Sequence, residues 1–349
     1  LISLTHSQVT MPAPALLLQI TGLTLLQSVV MTGAAVLIST QATSVRAANL
    51  TSAVIIVPFG VLVQGESLVI VWGDPTILPW ISFGMIALGV LFIRIALVHF
   101  QREEMLNRDL DRLDWRGAGK IFLRALASGA RNPWEWYIRT VPGAVRRLGP
   151  PVAVTALLML FGGWLGMREV GEMPAFIPVT GSRQDFMNGL TQSLQAWPLF
   201  SLSPVMAVWW QNVRVIFLSF LLGTFSFGVF GILPTLFSVS VTGFLMGTLS
   251  RVGIPIWAYL SGFILPHGVL ELTAAAVGVA GILRMGATLA TPTPGKSFGE
   301  VWLLAFADWV KVMAGIVIPL LFVAAAVEVW FTPRLALWLF HEYNMFGLP

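Results

Sequence analysis

The sequence GFILPHGVLELTA, Gly262–Ala274, places two ionisable residues inside a long apolar tract. Pro266 cannot donate a backbone hydrogen bond and Gly268 loosens the chain beside it, so a broken helix is predicted here, with a new helix starting near His267. His267 and Glu271 would then lie one turn apart on one face of the new helix. Because a charge at the bilayer centre costs on the order of 3 kcal/mol, we expect the two groups to solvate each other.

The His–Glu pair has two interpretations. In the first, the pair fixes the broken helix to its neighbours. In the second, it lines a cavity and serves proton relay or substrate contact. Two further polar residues lie in the apolar tracts, and one of them, Arg284, could join the pair if the helix folds back. The candidate intramembrane site therefore comprises Pro266, His267, Gly268, Glu271, Arg284 and Asn212.

The composition indicates a membrane protein. Of the 349 residues, 56% are hydrophobic and 10% are charged, and the mean hydropathy is +0.83. Soluble domains carry about 25% charged residues. Apolar stretches of about 20 residues, the length of helix that crosses a bilayer core, recur along the chain. We therefore predict an all-α polytopic transmembrane helical bundle with about eight spans. The lack of cysteine excludes disulfides and cysteine-bound metals.

Basic residues are concentrated in residues 101–149, which hold ten of the 20 Lys and Arg residues. The positive-inside rule places this segment in the cytoplasm and residues 168–211, one span later, outside the cell membrane. The tract 235–290 is too long for one span and is expected to hold two or three. Residues 301–312 are predicted to lie at the membrane interface, a depth that suits Trp309.

Within the basic segment, Arg116, Lys120 and Arg124 recur at every fourth position, and apolar residues fill another face. This spacing predicts an amphipathic helix. Its basic face could contact either an anionic lipid surface or an ATPase partner, and the alternative is a charged linker between two membrane domains. Further along, Asp308 and Lys311 are three residues apart and are expected to pair.

Small residues in the apolar tracts predict close helix packing. Gly243 and Gly247 form a G-x-x-x-G pair, the spacing that lets two membrane helices approach closely. A pore or a hinge is the alternative role for such glycines. The predicted packing residues are Gly223, Gly228, Gly243 and Gly247.

Motifs for catalysis are absent from the sequence. The four His are scattered, and there is no H-E-x-x-H zinc pair, no G-x-S-x-G elbow and no pair of carboxylates in one span. There is also no Walker A sequence, since TPTPGKSFGE lacks the leading Gly at the required spacing. We therefore expect no enzyme activity, no metal, no cofactor and no nucleic-acid partner.

The second half of the chain resembles the stage II sporulation protein M family of membrane proteins. The stretches that carry the resemblance are LPHGVLELTAAAVGVAGILRMG and GIVIPLLFVAAAVEVWFTP, and it covers roughly residues 150–335. Thr273 departs from the motif, where the family pattern leads us to expect Pro. This difference could alter a kink but not the site.

The first 110 residues are similar to the C-terminal half of an ABC-2 type exporter permease. The matching stretches are STQATSVRAANLTSAVIIVPFGVLV and IALVHFQREEML. We therefore expect a permease-like membrane segment over 1–110, a basic amphipathic linker over 111–149 and a sporulation-M-like membrane domain over 150–349. The permease-like segment is expected to be truncated at its N-terminus.

These resemblances imply a transport-related permease, or a permease-associated subunit, that works with a separately encoded ABC ATPase. The alternative is a non-catalytic membrane scaffold that anchors cell-wall hydrolases, as the family's name-giving member does in sporulation. A passive channel is a third possibility. In each case the partner surfaces include the lipid bilayer, and the chain could form a homo-oligomer.

Overall fold

The structure is a computed structural model, and it describes residues 13–41, 78–99, 115–168, 200–251, 255–289 and 298–342, with a few single positions between 60 and 70 and at 189 and 192. The described residues are almost entirely helical and contain no strand. The predicted all-α fold is therefore confirmed. The chain divides into two compact units, of which the first is residues 1–113 with 289–294, and the second is residues 114–288 with 295–349.

In the first unit, helices α1 (Pro14–Gln41) and α2 (Leu78–His99) pack against each other. Val30 and Phe92 are fully buried in this contact. Gln27 of α1 donates a side-chain hydrogen bond to the carboxylate of Glu66, which is itself buried. A polar pair thus links α1 to Glu66, which lies between the two helices in the chain.

The second unit begins with two helical segments that precede its membrane helices. The first is α3, and the second is α4, which contains a π-helical turn in its middle. Their bounds are Trp115–Ala127 for α3, and Pro133–Glu135, Trp136–Thr140 and Val141–Arg146 for α4.

Five longer helices follow in the second unit. Two of them, α8 and α9, contain π-helical segments but remain helical throughout. The bounds are α5 Gly149–Arg168, α6 Leu202–Phe225, α7 Leu233–Arg251, α8 Ile256–Tyr259, Leu260–Ile264 and Leu265–Leu289, and α9 Phe298–Val312, Met313–Val317, Ile318–Ala326, Val327–Phe331 and Thr332–Glu342.

Six helices in the described part of the chain are long and apolar enough to cross a membrane, and α2 supplies a shorter apolar helix. The predicted number of about eight is approximate, because the apolar stretch near residues 50–72 lies mostly outside the described residues. The tract 235–290 holds two of the six helices, α7 and α8.

Helices α5 and α7 approach closely through small residues. A Cβ atom on Gly243 would lie 2.0 Å from the carbonyl oxygen of Gly163, and one on Gly166 would lie 1.9 Å from that of Ser240. Backbone therefore contacts backbone here, which only glycine permits. Gly247 is also buried on α7. The sequence singled out Gly243 and Gly247 but not their partners on α5.

Helix α8 stays helical where a break was predicted near Pro266–Gly268. The irregularity is the π-helical segment Leu260–Ile264, which ends two residues before Pro266. A proline ring normally clashes with the carbonyl four residues earlier, here that of Gly262. Because Gly262 lies within the widened π turn, the helix accommodates the ring and continues to Leu289.

Helix α9 contains residues 301–312, for which the sequence predicted a position at the membrane interface. That stretch runs without interruption into the following apolar helix, within one helical span of 41 residues, Gly299–Leu339. Trp309 is only 8% exposed, and its indole Nε1 donates to the carbonyl of Gly278 on α8 at 3.1 Å. The tryptophan is therefore a packing residue between two helices.

Adding one methyl group at the α5–α7 contact should destabilise the second unit. Gly243→Ala must push apart two backbones, so we expect a loss of about 1–3 kcal/mol in the free energy of unfolding, measured as a lower melting temperature in detergent. Gly119→Ala on α3 is the matched control, because nothing lies within 4 Å of its added Cβ. Equal melting temperatures for the two variants would contradict this packing.

Candidate functional site

Three ionisable side chains meet between α8 and α9. His267 and Glu271 lie one turn apart on α8, as their spacing predicted, and Glu328 joins them from the last π-helical segment of α9. A ring nitrogen of His267 and one oxygen from each carboxylate all lie within 4.8 Å of one another. His267 is only 9% exposed. The site is therefore a compact group of one imidazole and two carboxylates inside an apolar helical unit.

Thr332 orients the histidine. Its hydroxyl Oγ1 lies 3.2 Å from Nδ1 of His267 and donates its hydrogen to the carbonyl of Val327, also at 3.2 Å. A hydroxyl has one hydrogen to give, so while the Thr332 hydroxyl donates to Val327 its oxygen accepts from the imidazole. In that arrangement Nδ1 carries the proton of the neutral ring and Nε2 carries the lone pair.

Each of the two helices has a π-helical turn at the site. On α9, Glu328 lies inside the turn Val327–Phe331, and the backbone N–H of Thr332 closes it onto the carbonyl of Val327. Glu328 and Thr332 are thus four residues apart on α9. They face His267 and Glu271, which have the same spacing on α8. Single π turns of this kind occur frequently at functional sites.

Neither carboxylate has a hydrogen-bond or ion-pair partner within the described part of the chain. The nearest arginine in sequence to Glu328, Arg334, donates instead to the carbonyl of Trp330 and lies over the ring of Phe200. The group therefore contains two acidic side chains and no fixed cation.

Arg284 does not join this group, which corrects the sequence prediction. It lies thirteen residues beyond Glu271 on the continuous helix α8, a separation of about 20 Å. Its guanidinium instead lies 3.6 Å from the carboxylate of Asp308 on α9. The predicted fold-back required a break in α8, and α8 has none.

Asp308 is the centre of a second charged group, at the opposite ends of α8 and α9. Its carboxylate contacts Lys311 at 2.7 Å, which confirms the predicted pairing, and Arg147 at 3.0 Å. With Arg284, three cations surround one carboxylate. The two helices therefore carry an acidic group at one end and a mainly basic group at the other.

Asn212 lies on α6, and no described contact connects it to His267 or Glu271. Its Nδ2 is buried without a hydrogen-bond partner among the described residues. Gly223 on the same helix packs against α8, since an added Cβ would lie 2.1 Å from Cγ2 of Ile282. Gly228 has φ +93°, so it forms the turn after α6.

The residues Arg116, Lys120 and Arg124 lie on the exposed side of α3. The opposite, apolar side packs on α9, where the rings of Phe122 and Phe306 stack with centroids 5.4 Å apart. The predicted amphipathic helix is therefore present, and its apolar face is covered by a membrane helix of the same unit.

Sequence reasoning missed Glu328 as a member of the site. It appeared only as a late residue of a family motif, on a different helix from the His–Glu pair. One signal was present, because an ionisable residue in an apolar span is by default a functional candidate.

Six helices that are long and apolar enough to cross a membrane define a multi-pass α-helical membrane protein. The sequence model of the family described as stage II sporulation protein M matches residues 125–333. The chain belongs to this family. The match leaves out the first 124 residues, so the ABC-2 resemblance of that part stays a prediction. No curated protein and no solved structure matches the chain.

Removing the shared carboxylate of the basic group should destabilise the second unit. Asp308→Asn leaves Lys311, only 7% exposed, and Arg284 without a counter-charge. We expect a loss of about 2–3 kcal/mol, measured by thermal unfolding in detergent. Glu135→Gln removes the exposed pair with Arg139 and should cost about 0–1 kcal/mol. An Asp308→Asn variant as stable as Glu135→Gln would show that the three cations need no anion here.

Proposed function

We propose that the protein is a transport-related membrane subunit that works with a separately encoded ABC ATPase. The observation that carries the proposal is the course of α9. Phe306, near the start of this helix, packs against the amphipathic helix α3. Glu328, 22 residues later, belongs to the polar group of His267, Glu271 and Glu328. This length of helix spans about 33 Å, which is about the thickness of a bilayer core.

The surface for the ATPase is the exposed basic face of α3. The positive-inside rule puts α3 in the cytoplasm, where an ATPase subunit would act. Phe306 also stacks on Trp302, with ring centroids 5.1 Å apart, and lies 5.5 Å from Phe220 of α6. A displacement of α3 by a partner would therefore be transmitted to α9 through packed aromatic rings.

The π-helical turns of α9 offer a way for the helix to change shape when a partner displaces α3. Two of them, Met313–Val317 and Val327–Phe331, lie between the contact with α3 and the end of the polar group. A π turn can shift along a helix and rotate the residues beyond it. Such a rotation would move Glu328 relative to His267, which opens or closes the polar group without any bond-making step. The proposed role is therefore non-enzymatic.

The alternative, a scaffold for cell-wall hydrolases, requires a docking surface on the other side of the membrane. The segment predicted to lie there, 168–211, is mostly outside the described residues. Its few described contacts, such as the indole of Trp330 donating to the carbonyl of Ser201 at 3.2 Å, hold α6 against α9. These contacts hold the helices of the second unit together. They do not form a docking surface that would favour binding of a cell-wall hydrolase.

ATP hydrolysis in reconstituted vesicles tests the proposed coupling. We expect the full chain to stimulate an ABC ATPase from the same genome several-fold. Replacing the three basic residues of the α3 face with Gln should weaken the association about tenfold or more and make the remaining association less sensitive to salt, because each exposed ion pair contributes up to about 1 kcal/mol and is screened by salt.

The matched control removes the same number of charges outside α3. Its substitutions are Arg131→Gln, Arg139→Gln and Arg146→Gln, and this triple variant should keep the stimulation. Full stimulation by the α3 variant, or stimulation that depends on anionic lipid and not on the α3 charges, would contradict an ATPase contact at this face.

A further inference from the structure

We propose that His267, Glu271 and Glu328 form a binding site for a divalent transition-metal ion. The proposal concerns binding alone and does not depend on the coupling to an ATPase. The proposal differs from the prediction made from the sequence, which was that the protein binds no metal. That prediction considered only ligands close together in one span. The structure brings the third ligand from a separate helix.

The distances fit a single ion. The three ligand atoms lie within 4.8 Å of one another, whereas ligands on one tetrahedral zinc ion, with bonds of about 2.0–2.2 Å, lie about 3–4 Å apart. The side-chain torsions of the two glutamates would have to close the remaining difference. The ligands come from two helices that are already packed together, so the site exists before the ion binds.

The charge balance calls for a cation. Two carboxylates in an apolar unit are unfavourable without a counter-charge, and the basic residues Arg284 and Lys311 of the same two helices are both paired with Asp308. Arg334 donates to a backbone carbonyl. Of the cations that could enter, a proton would neutralise one carboxylate, whereas a divalent ion neutralises both.

The imidazole distinguishes these two occupants. When the Thr332 hydroxyl donates to Val327, it accepts from Nδ1 of His267 and leaves the lone pair on Nε2. Metal-bound histidines are oriented by such a hydrogen bond at the ring nitrogen that does not bind the metal. A carboxylate pair that shares a proton needs no oriented lone pair beside it. The Thr332 contact therefore fits a metal ligand at His267.

The ligand types narrow the choice of ion. One imidazole nitrogen and two carboxylate oxygens suit zinc, manganese, iron or cobalt, whereas calcium and magnesium prefer oxygen alone. Three protein ligands leave a further coordination position open for water or a transported group. We therefore expect zinc and cobalt to bind and magnesium to fail at the same concentration.

Metal titration of the purified full chain tests the site. The protein, without a polyhistidine tag, is stripped of metal in detergent and titrated with Zn²⁺ in competition with a chromophoric chelator. We expect one equivalent to bind and to raise the melting temperature. Glu328→Gln should weaken binding at least tenfold, and Thr332→Val, which leaves all three ligands in place, should also weaken it about tenfold.

Two controls separate this site from adventitious binding. Glu135→Gln removes an exposed carboxylate far from the group and should bind zinc as the unchanged chain does, and so should His99→Ala. Co²⁺ should give the visible absorption of a low-coordinate complex in the unchanged chain and lose it in Glu328→Gln. This spectrum reports on the ligands even if His267→Ala fails to fold.

The proposal is overturned by either of two results. The first is the absence of an equivalent of bound zinc in the unchanged chain, which would leave a proton as the occupant. The second is bound zinc whose affinity Glu328→Gln and Glu271→Gln leave unchanged. Neither result bears on the stimulation of an ATPase through α3, so the two proposals can fail separately.

Discussion

The antiparallel packing of α8 on α9 is the interaction on which the rest of the second unit depends. Arg284 meets Asp308 at one end, the indole of Trp309 donates to the carbonyl of Gly278 along the interface, and His267 meets Thr332 at the other end. Between the two ends the contact is apolar, with Gly278 against Val317, which is fully buried. Asp308 pairs with basic side chains near one end of this contact, whereas the carboxylates of Glu271 and Glu328 near the other end have no described hydrogen-bond or ion-pair partner.

The basic and acidic groups lie apart on these helices because a buried charge is costly unless an opposite charge is close to it. The basic group keeps a carboxylate among three cations, and Arg147 remains 60% exposed. The acidic group has no such cation among the described residues, and the proposed metal ion would supply the missing positive charge. Helix α9 contacts the amphipathic helix α3 through Phe306 and carries Glu328 of the acidic group 22 residues later. The proposed transport role and the proposed metal site both follow from that continuous helix.

Local features of this structure were predictable from the sequence, and tertiary ones were not. Apolar stretches of bilayer length predicted the helical membrane fold, and the four-residue spacing of His267 and Glu271 predicted their shared face. Glu328 was missed because its approach depends on which helices pair. Arg284 was assigned to the wrong group because the π turn before Pro266 keeps α8 continuous, whereas a break would have let the chain fold back. A single sequence does not show which glycines on α5 oppose Gly243.

Cross-linking between α8 and α9 tests their antiparallel register most directly, because the chain has no cysteine of its own. An added Cβ on Gly278 would lie 3.5 Å from Cγ1 of Val317, so the double variant Gly278→Cys, Val317→Cys should form a disulfide under mild oxidation in membranes. Gly278→Cys with Val323→Cys is the control, since Val323 lies six residues further on and is 48% exposed. The account predicts a disulfide in the first pair and none in the second. A disulfide in the second pair alone would contradict the register that brings Glu328 to His267.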